Sequence, residues 1–492
     1  MKRSSGILLH ISSLPSPYGI GNLGRCAREF VDFLHAAGQR YWQILPLSPT
    51  GYGDSPYQSA SSYGGNPYFI DPEELLDAGL LTREELDGSW GEDPSRTDYG
   101  QIYQRRLPLL RLAFDRADRR EPAFLDFCSR EAHWLEEHSL FMALKAHFGG
   151  APWLQWETDI RLRHPAALKR WRKTLEGEIT FQKWLQFLFF RQWDRLHEYA
   201  AQRNISIIGD IPIYVPMDSV DVWSSPEYFQ LTRNRTPRVV AGCPPDGFSK
   251  DGQYWGNPIY DWEKMAQDGY SWWVRRVGAA ARFFDVIRID HFRGIESYWS
   301  IPASHKTARH GKWVKGPGMD LIRAIRQAHP NAGLIAEDLG FLTPEVRQLL
   351  DDSGLPGMKV LEFAFDSGEY NDYLPHRYQT DHCICYTGTH DNQTIRQWTE
   401  ELNPEVRRFA EEYMNLRPGA DFCESLLRLG MSSRAELFVA QMQDWLGLGA
   451  DARMNEPGVR KPQNWCWRML PGAADSQLAA HIISMTKEFD RI

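Results

Sequence analysis

The stretch Asp285-Val286-Ile287-Arg288-Ile289-Asp290-His291-Phe292-Arg293-Gly294 sets a short, nearly apolar run between two acids and closes it with loop-forming residues. A run over 286–290 is too short for a helix and suits a strand buried on both faces. The same pattern recurs at 7–11, 41–47, 205–211, 334–338, 358–363, 382–389 and 437–444. Helical patterns lie between many of these runs. The segment 26–37 carries Phe30, Phe33, Leu34 and Ala37 at helical spacing, with Gly38 as a stop, and 319–328 carries Leu321, Ile322 and Ile325 ahead of Pro330. Alternating strands and helices argue for a parallel sheet, and eight such units predict an α/β fold of the (β/α)8 TIM-barrel type. An open doubly wound sheet is the competing topology. One connection is far longer than a crossover needs: 48–204 separates the second and third runs. It reads as an inserted, largely helical subdomain over about 72–200, with Trp184, Leu185, Leu188, Trp193 and Leu196 at helical spacing. A loop-rich insertion is expected over about 212–270. The whole of 1–492 thus reads as one barrel with insertions.

Composition narrows the class. The 492 residues are 42% hydrophobic and 24% charged, which excludes disordered, collagen-like and coiled-coil chains. A formal charge of −8 argues against a nucleic-acid partner. No apolar stretch approaches the roughly 20 residues of a membrane span. The run at 7–11 contains His10 and falls short of a signal-peptide core of roughly 7–15 residues. Seven scattered cysteines outline no disulfide framework, and Cys383 and Cys385 read as buried small hydrophobes on one strand face. A cytoplasmic protein without membrane or nucleic-acid partners is expected; oligomeric state is not legible. The chain is rich in aromatics, with 19 Trp, 20 Tyr and 24 Phe, which serve either as core or as a surface for flat ligands.

Gly19-Ile20-Gly21-Asn22-Leu23-Gly24 matches a dinucleotide-binding pattern, but seven residues separate it from the first run and no ribose-binding acid follows. It reads as a tight turn. His133 and His138 are wrongly spaced to share a metal, and no zinc, phosphate-loop or serine-nucleophile motif occurs, so no metal and no cofactor is expected. Three acids stand out by position. Asp290, Glu337 and Asp391 follow the fourth, fifth and seventh runs, the end of a barrel where active sites are built. A helix cap or a solvated loop acid is the plainer reading of each alone. Arg288 lies two residues before Asp290 and shares its strand face, so pairing would hold that carboxylate ionised, as a nucleophile requires. A structural buried ion pair is the other reading. Two carboxyls of unequal pKa are the minimum for glycoside chemistry. Glu337 suits the acid because desolvation raises a carboxyl pKa, although strand alternation sends either it or Asp338 away from the pocket. Tyr52-Gly53-Asp54-Ser55-Pro56-Tyr57-Gln58 and Gly252-Gln253-Tyr254-Trp255-Gly256-Asn257-Pro258 set aromatics among glycine, proline and amides in loops, a composition suited to stacking sugars.

These segments carry a family likeness. Together with Ser13-Leu14-Pro15-Ser16-Pro17-Tyr18-Gly19-Ile20-Gly21, Gly209-Asp210-Ile211-Pro212-Ile213-Tyr214-Val215, Pro244-Pro245-Asp246-Gly247-Phe248-Ser249 and the runs 288–294, 336–340 and 388–392 with Asn464-Trp465, the chain closely resembles the 4-α-glucanotransferases called amylomaltases or disproportionating enzymes. The resemblance implies that Asp290 is the nucleophile, Glu337 the acid/base and Asp391 the third acid. It further implies that Tyr57, Asp210, Trp255, Asn257, Arg288 and His390 bind substrate or partner the nucleophile, and that Tyr52 and Tyr99 make a second glucan contact. Maltooligosaccharides and α-1,4-glucans are the implied substrates, transferred with retention through a covalent glucosyl-enzyme and without a cofactor. An α-amylase-type hydrolase is the nearest alternative and a non-catalytic glucan-binding barrel a more distant one. The catalytic positions match the family pattern, while Asn22 and Cys243 stand where it leads one to expect other residues.

Overall fold

The eight apolar runs become eight strands: β1 (Ser4–Leu8), β2 (Tyr41–Gln43), β3 (Ser206–Pro212), β4 (Val286–Asp290), β5 (Gly333–Ala336), β6 (Gly357–Val360), β7 (Cys383–Tyr386) and β8 (Leu437–Gln441). The computed structural model describes residues 3–245, 250–340, 342–459 and 461–492, and the Tyr52 side chain and Asp246-Gly247-Phe248-Ser249 lie outside the described parts. All neighbouring pairs are parallel, in the order β6-β7-β8-β1-β2-β3-β4-β5. The seam between β5 and β6 is drawn together by the Ala336 amide, which donates to the Pro356 carbonyl at 3.0 Å. The sheet is a nearly closed barrel, and the open doubly wound alternative is excluded.

Alternation along each strand makes two cores. Leu8, Ile208, Val286, Ile335, Met358, Ile384, Tyr386 and Val439 point into the barrel, while Ile7, Ile207, Ile287, Ile289, Cys383, Cys385 and Phe438 pack outward in the larger apolar cluster. The helices Arg25–Ala36, Met319–Ala328 and Ser476–Glu488 bury one face each in this outer layer. Several strands are shorter than their apolar runs. Past Gln43 the Ile44 amide still donates to the Ile208 carbonyl at 2.9 Å, and Leu45 stays buried in the barrel interior while Ile44 and Leu47 join the outer cluster.

The long connection after β2 folds largely as helices, among them Tyr99–Arg116, Ala132–His147 and Glu176–Gln202. The last buries Phe181, Trp184, Leu185, Leu188 and Trp193. It also turns two glutamines inward: Gln186 and Gln192 accept the amides of Gly65 and Asp71 at 2.7 Å each. These bonds satisfy loop backbone that would otherwise be buried without a partner.

The segment after β3 is less irregular than its composition suggests. It contributes Val239–Cys243 and Gln253–Pro258 to a four-stranded antiparallel sheet completed by Ser297–Pro302 and Lys312–Lys315. The partners of Val239–Cys243 include a strand beyond β4, so no local hairpin pattern announces the sheet.

The glycine motif is a packing device. A Cβ on Gly21 would meet the Ile11 carbonyl oxygen at 1.8 Å, and one on Gly24 would meet the Asp71 carboxylate at 1.7 Å. The cysteines are all free. Among the described residues, no helix is long and apolar enough to cross a membrane.

Candidate active site

Inward-pointing positions of β3 and β4 place Asp210, Arg288 and Asp290 in one cluster. The Arg288 Nη1 donates to Asp210 Oδ2 at 2.5 Å and to Asp290 Oδ1 at 2.9 Å. Side-chain exposure falls from 29% at Asp290 to 4% at Arg288 and 0% at Asp210, so only the first acid meets the cleft. Burial pushes the Asp210 carboxyl up to about 6, against the pull of Arg288. Arg288 itself is held well above its ordinary value: burial disfavours its charge, but Asp210 and Asp290 outweigh that. The Tyr57 hydroxyl completes the cluster, donating to Asp210 Oδ2 at 2.8 Å.

Glu337 follows the last residue of β5. Its amide donates to the Ile289 carbonyl and its own carbonyl accepts the Phe292 amide, both at 3.0 Å, so the ends of β4 and β5 are stitched together. Its carboxylate accepts the His291 amide on Oε2 and the Leu339 amide on Oε1, each at 2.7 Å. His291, the residue after Asp290, adopts φ = +53°, which turns its amide toward Glu337. Glu337 is 9% exposed. Burial raises it to about 7; Arg288 opposes the rise and the Asp290 charge adds to it. The neighbouring acid goes elsewhere: Asp338 accepts the Met358 amide at 2.6 Å, outside the cluster. Alternation therefore resolves in favour of Glu337.

Asp391 comes from the loop after β7 and keeps a side chain 42% exposed. Asn455 Nδ2 donates to its Oδ1 at 2.6 Å, and Arg453 donates to its backbone carbonyl at 2.9 Å. His390 Nε2 approaches the same carboxylate at 3.4 Å. Its ring stacks on Tyr57 at 5.1 Å and 20°, and Trp465 leans against both rings at 5.9 Å. The loop is shaped from within, since the Thr389 amide and hydroxyl both donate to Asn392 Oδ1 at 2.9 Å. Trp255 stands edge-to-face over His291 with ring centroids 4.9 Å apart, and Asn257 is buried two residues further along the same strand.

The structure thus brings Asp290, Glu337, Tyr57, Asp210 and Arg288 into direct or one-residue contact, with His390 stacked on Tyr57 and Asp391 beside it. Arg288 and Asp210 lie beneath Asp290 rather than on the cleft surface. Tyr99 is 8% exposed and its hydroxyl donates to the Trp465 carbonyl at 3.2 Å; Tyr103, one helical turn on, is the exposed ring and donates to Asp54. The side chain of Tyr52, which the resemblance pairs with Tyr99, falls outside the described residues. Asn455 and the stacking role of Trp465 have no signature in the sequence. Neither ends an apolar run, and Asn455 reaches Asp391 only through the tertiary path of the chain. Among the described residues, no group of three or more His, Cys, Asp or Glu is placed to hold a metal ion.

A parallel barrel with three acids and an aromatic rim at the carboxyl ends of its strands belongs to the (β/α)8-barrel enzyme class. Residues 9–473 match the family model described as 4-alpha-glucanotransferase, glycoside hydrolase family 77, and the chain belongs to that family. It is 47% identical to the 4-alpha-glucanotransferase of Thermus thermophilus over the full length of both chains. It is 44% identical to that of Clostridium butyricum, over 98% of this chain and all of the other. Its structure is similar to that of the amylomaltase from Streptococcus agalactiae in complex with acarbose, with a TM-score of 0.97, 40% identity and complete coverage of both chains.

Proposed function

We propose that the protein is a retaining 4-α-glucanotransferase acting on maltooligosaccharides and α-1,4-glucans, with Asp290, Glu337 and Asp391 as its catalytic acids. The observation that carries this reading is the junction of β4 and β5. There a partly exposed carboxylate backed by a buried arginine lies one residue from the amide that binds a second, proton-holding carboxyl.

In the first step Glu337 gives its proton to the departing glycosidic oxygen while Asp290 bonds to the anomeric carbon, leaving a glucosyl-enzyme. In the second, Glu337 takes the proton of an acceptor 4-hydroxyl, whose oxygen displaces Asp290. Asp391, exposed and held by Asn455, binds sugar hydroxyls. Arg288 and Asp210 act through Asp290, fixing its orientation and charge. Tyr57, His390, Trp255 and Asn257 form the walls of the sugar site; of the second glucan contact that the resemblance implies for Tyr52 and Tyr99, the buried Tyr99 ring would support the surface from beneath while the exposed Tyr103 ring meets it. A cytoplasmic setting is consistent with seven free cysteines, and a charge of −8 is consistent with a protein that does not bind nucleic acid.

Maltotriose tests the reading. A transferase converts it to glucose and a ladder of longer chains with little gain in total reducing ends, whereas a steady rise in reducing ends would assign the protein as a hydrolase. Asp290→Asn should lower turnover by about 10⁴-fold or more while maltooligosaccharide binding persists. Unchanged turnover would remove Asp290 from the nucleophile's role.

A further inference from the structure

The four-stranded sheet carries a feature that the reaction centre does not use. In its register Tyr254 lies opposite Gly242, Gly242 opposite Trp299, and Trp299 opposite Trp313. Directly opposed residues of antiparallel strands share a face, so Tyr254, Trp299 and Trp313 stand in one row across the sheet. The row crosses three strand spacings, about 14 Å. Gly242 contributes no ring to it, and its place is closed by the Gln253 carbonyl oxygen, which a Cβ there would meet at 2.2 Å. The two end rings are open to solvent: Trp313 is 43% and Tyr254 39% exposed. Between them Trp299 is half-buried, fixed by its indole N–H to the Ala308 carbonyl at 2.8 Å, and meets Trp313 edge-on at 5.2 Å.

Both ends connect to the reaction centre. Trp255, the neighbour of Tyr254, projects from the other face of the strand onto His291. At the other end the Arg293 guanidinium, three residues beyond Asp290, lies 4.0 Å from the centre of the Trp313 ring. The row therefore flanks the turn that carries Asp290, with one end beside Trp255 and the other on Arg293.

We propose that this row, which lies outside the cluster of acids but flanks it, is a binding platform for a long α-1,4-glucan chain. Two exposed flat rings, about 14 Å apart with a half-buried third between them, match a chain of rings that each offer an apolar face and a polar edge. A protein partner would call for a larger contiguous apolar patch. Lys315, exposed on the edge strand and on the same face as Trp313, places an ammonium paired with Glu296 beside the row instead. The proposal rests on the α-glucan reading of the site and adds chain-length specificity to it.

The test compares maltotriose with long linear amylose as substrates for wild type, Trp313→Ala, Tyr254→Ala and the double variant. Each single variant should raise the KM for amylose about fivefold, the double variant more, with kcat/KM for maltotriose kept within about twofold. Trp313→Phe, which keeps a flat ring, should restore most of the loss, and unchanged melting temperatures should accompany all four. No change with amylose, or an equal loss on both substrates, overturns the platform. Failure of the wild type to convert maltotriose is a different result, and it removes the function on which the platform rests.

Discussion

At the scale of single residues, one arginine and one backbone amide divide the work between two acids. Arg288 lies under Asp290 and Asp210, where removing the guanidinium would leave two carboxylates facing each other without a counter-charge. Burial, helped by the nearby Asp290 charge, keeps the proton of Glu337 to about pH 7, against the pull of Arg288 and of the two backbone amides that donate to its carboxylate. If the protonated form is the working acid, kcat/KM for maltotriose falls as pH rises above about 7, approaching tenfold per pH unit. That apparent value belongs to the Glu337–Asp290 pair and not to either carboxyl alone. A rate that stays flat to about pH 9 would exclude Glu337 as the acid. Asn455 is the second residue with a sharp expectation. Its only role toward Asp391 is the 2.6 Å bond to Oδ1, so Asn455→Ala should lower kcat about tenfold with a much smaller change in melting temperature. Equal kcat in the two proteins would show that Asp391 needs no such support. Neither Asn455 nor the bond from His291 was legible from sequence, because both act between segments that meet only in the fold. The Arg288–Asp290 pair was legible, because both residues lie on one strand at a spacing of two.

At the scale of elements, strand interiors decide where the acids point. Barrel strands are apolar on both faces, so the run at 334–338 does not say which of Glu337 and Asp338 faces inward. Packing decides it: Ile335 lies in the barrel interior, and its alternate neighbour Glu337 follows it there. The same logic makes Gly209 a structural necessity. It points outward beside Asp210, and a Cβ there would sit 2.1 Å from the Phe284 ring. Gly209→Ala should destabilise the protein by about 1–3 kcal/mol through overpacking. Adding Phe284→Leu should recover part of the melting temperature, and no recovery would place the strain elsewhere than at that ring. The loop after β7 depends on a further buried pair. Asp444 accepts the Thr387 hydroxyl at 2.6 Å and the Ile395 amide at 2.8 Å, at the start of helix Ile395–Glu401. Glu362, equally buried, accepts from Asn392 in the loop itself.

At the scale of the whole molecule, these buried acids make stability depend on pH in a definite direction. Burial raises Asp444 to about 7 and Glu362 well above its ordinary value, with Asp444 and Glu362 close enough for one charge to oppose the other. The folded protein therefore keeps protons that the unfolded chain releases above the usual carboxylate range. Their contribution is fully present in acid and is lost as pH rises through about 7. The double variant Glu362→Gln with Asp444→Asn should gain on wild type in melting temperature between about pH 5 and about pH 8. A constant difference across that range would mean that neither acid is neutral in the folded state. The amino-acid sequence by itself determined the barrel, because short apolar runs alternating with amphipathic segments have few other ways to bury both faces of eight strands. It also placed Asp290, Glu337 and Asp391 at strand ends, where local pattern and spacing are enough. The tertiary structure alone decided which of two adjacent acids enters the cleft, which side chains hold Asp391, and that a segment read as loop pairs into a sheet with an exposed aromatic row. Those outcomes rest on contacts between residues tens to hundreds of positions apart, and no periodicity along the chain encodes such pairings.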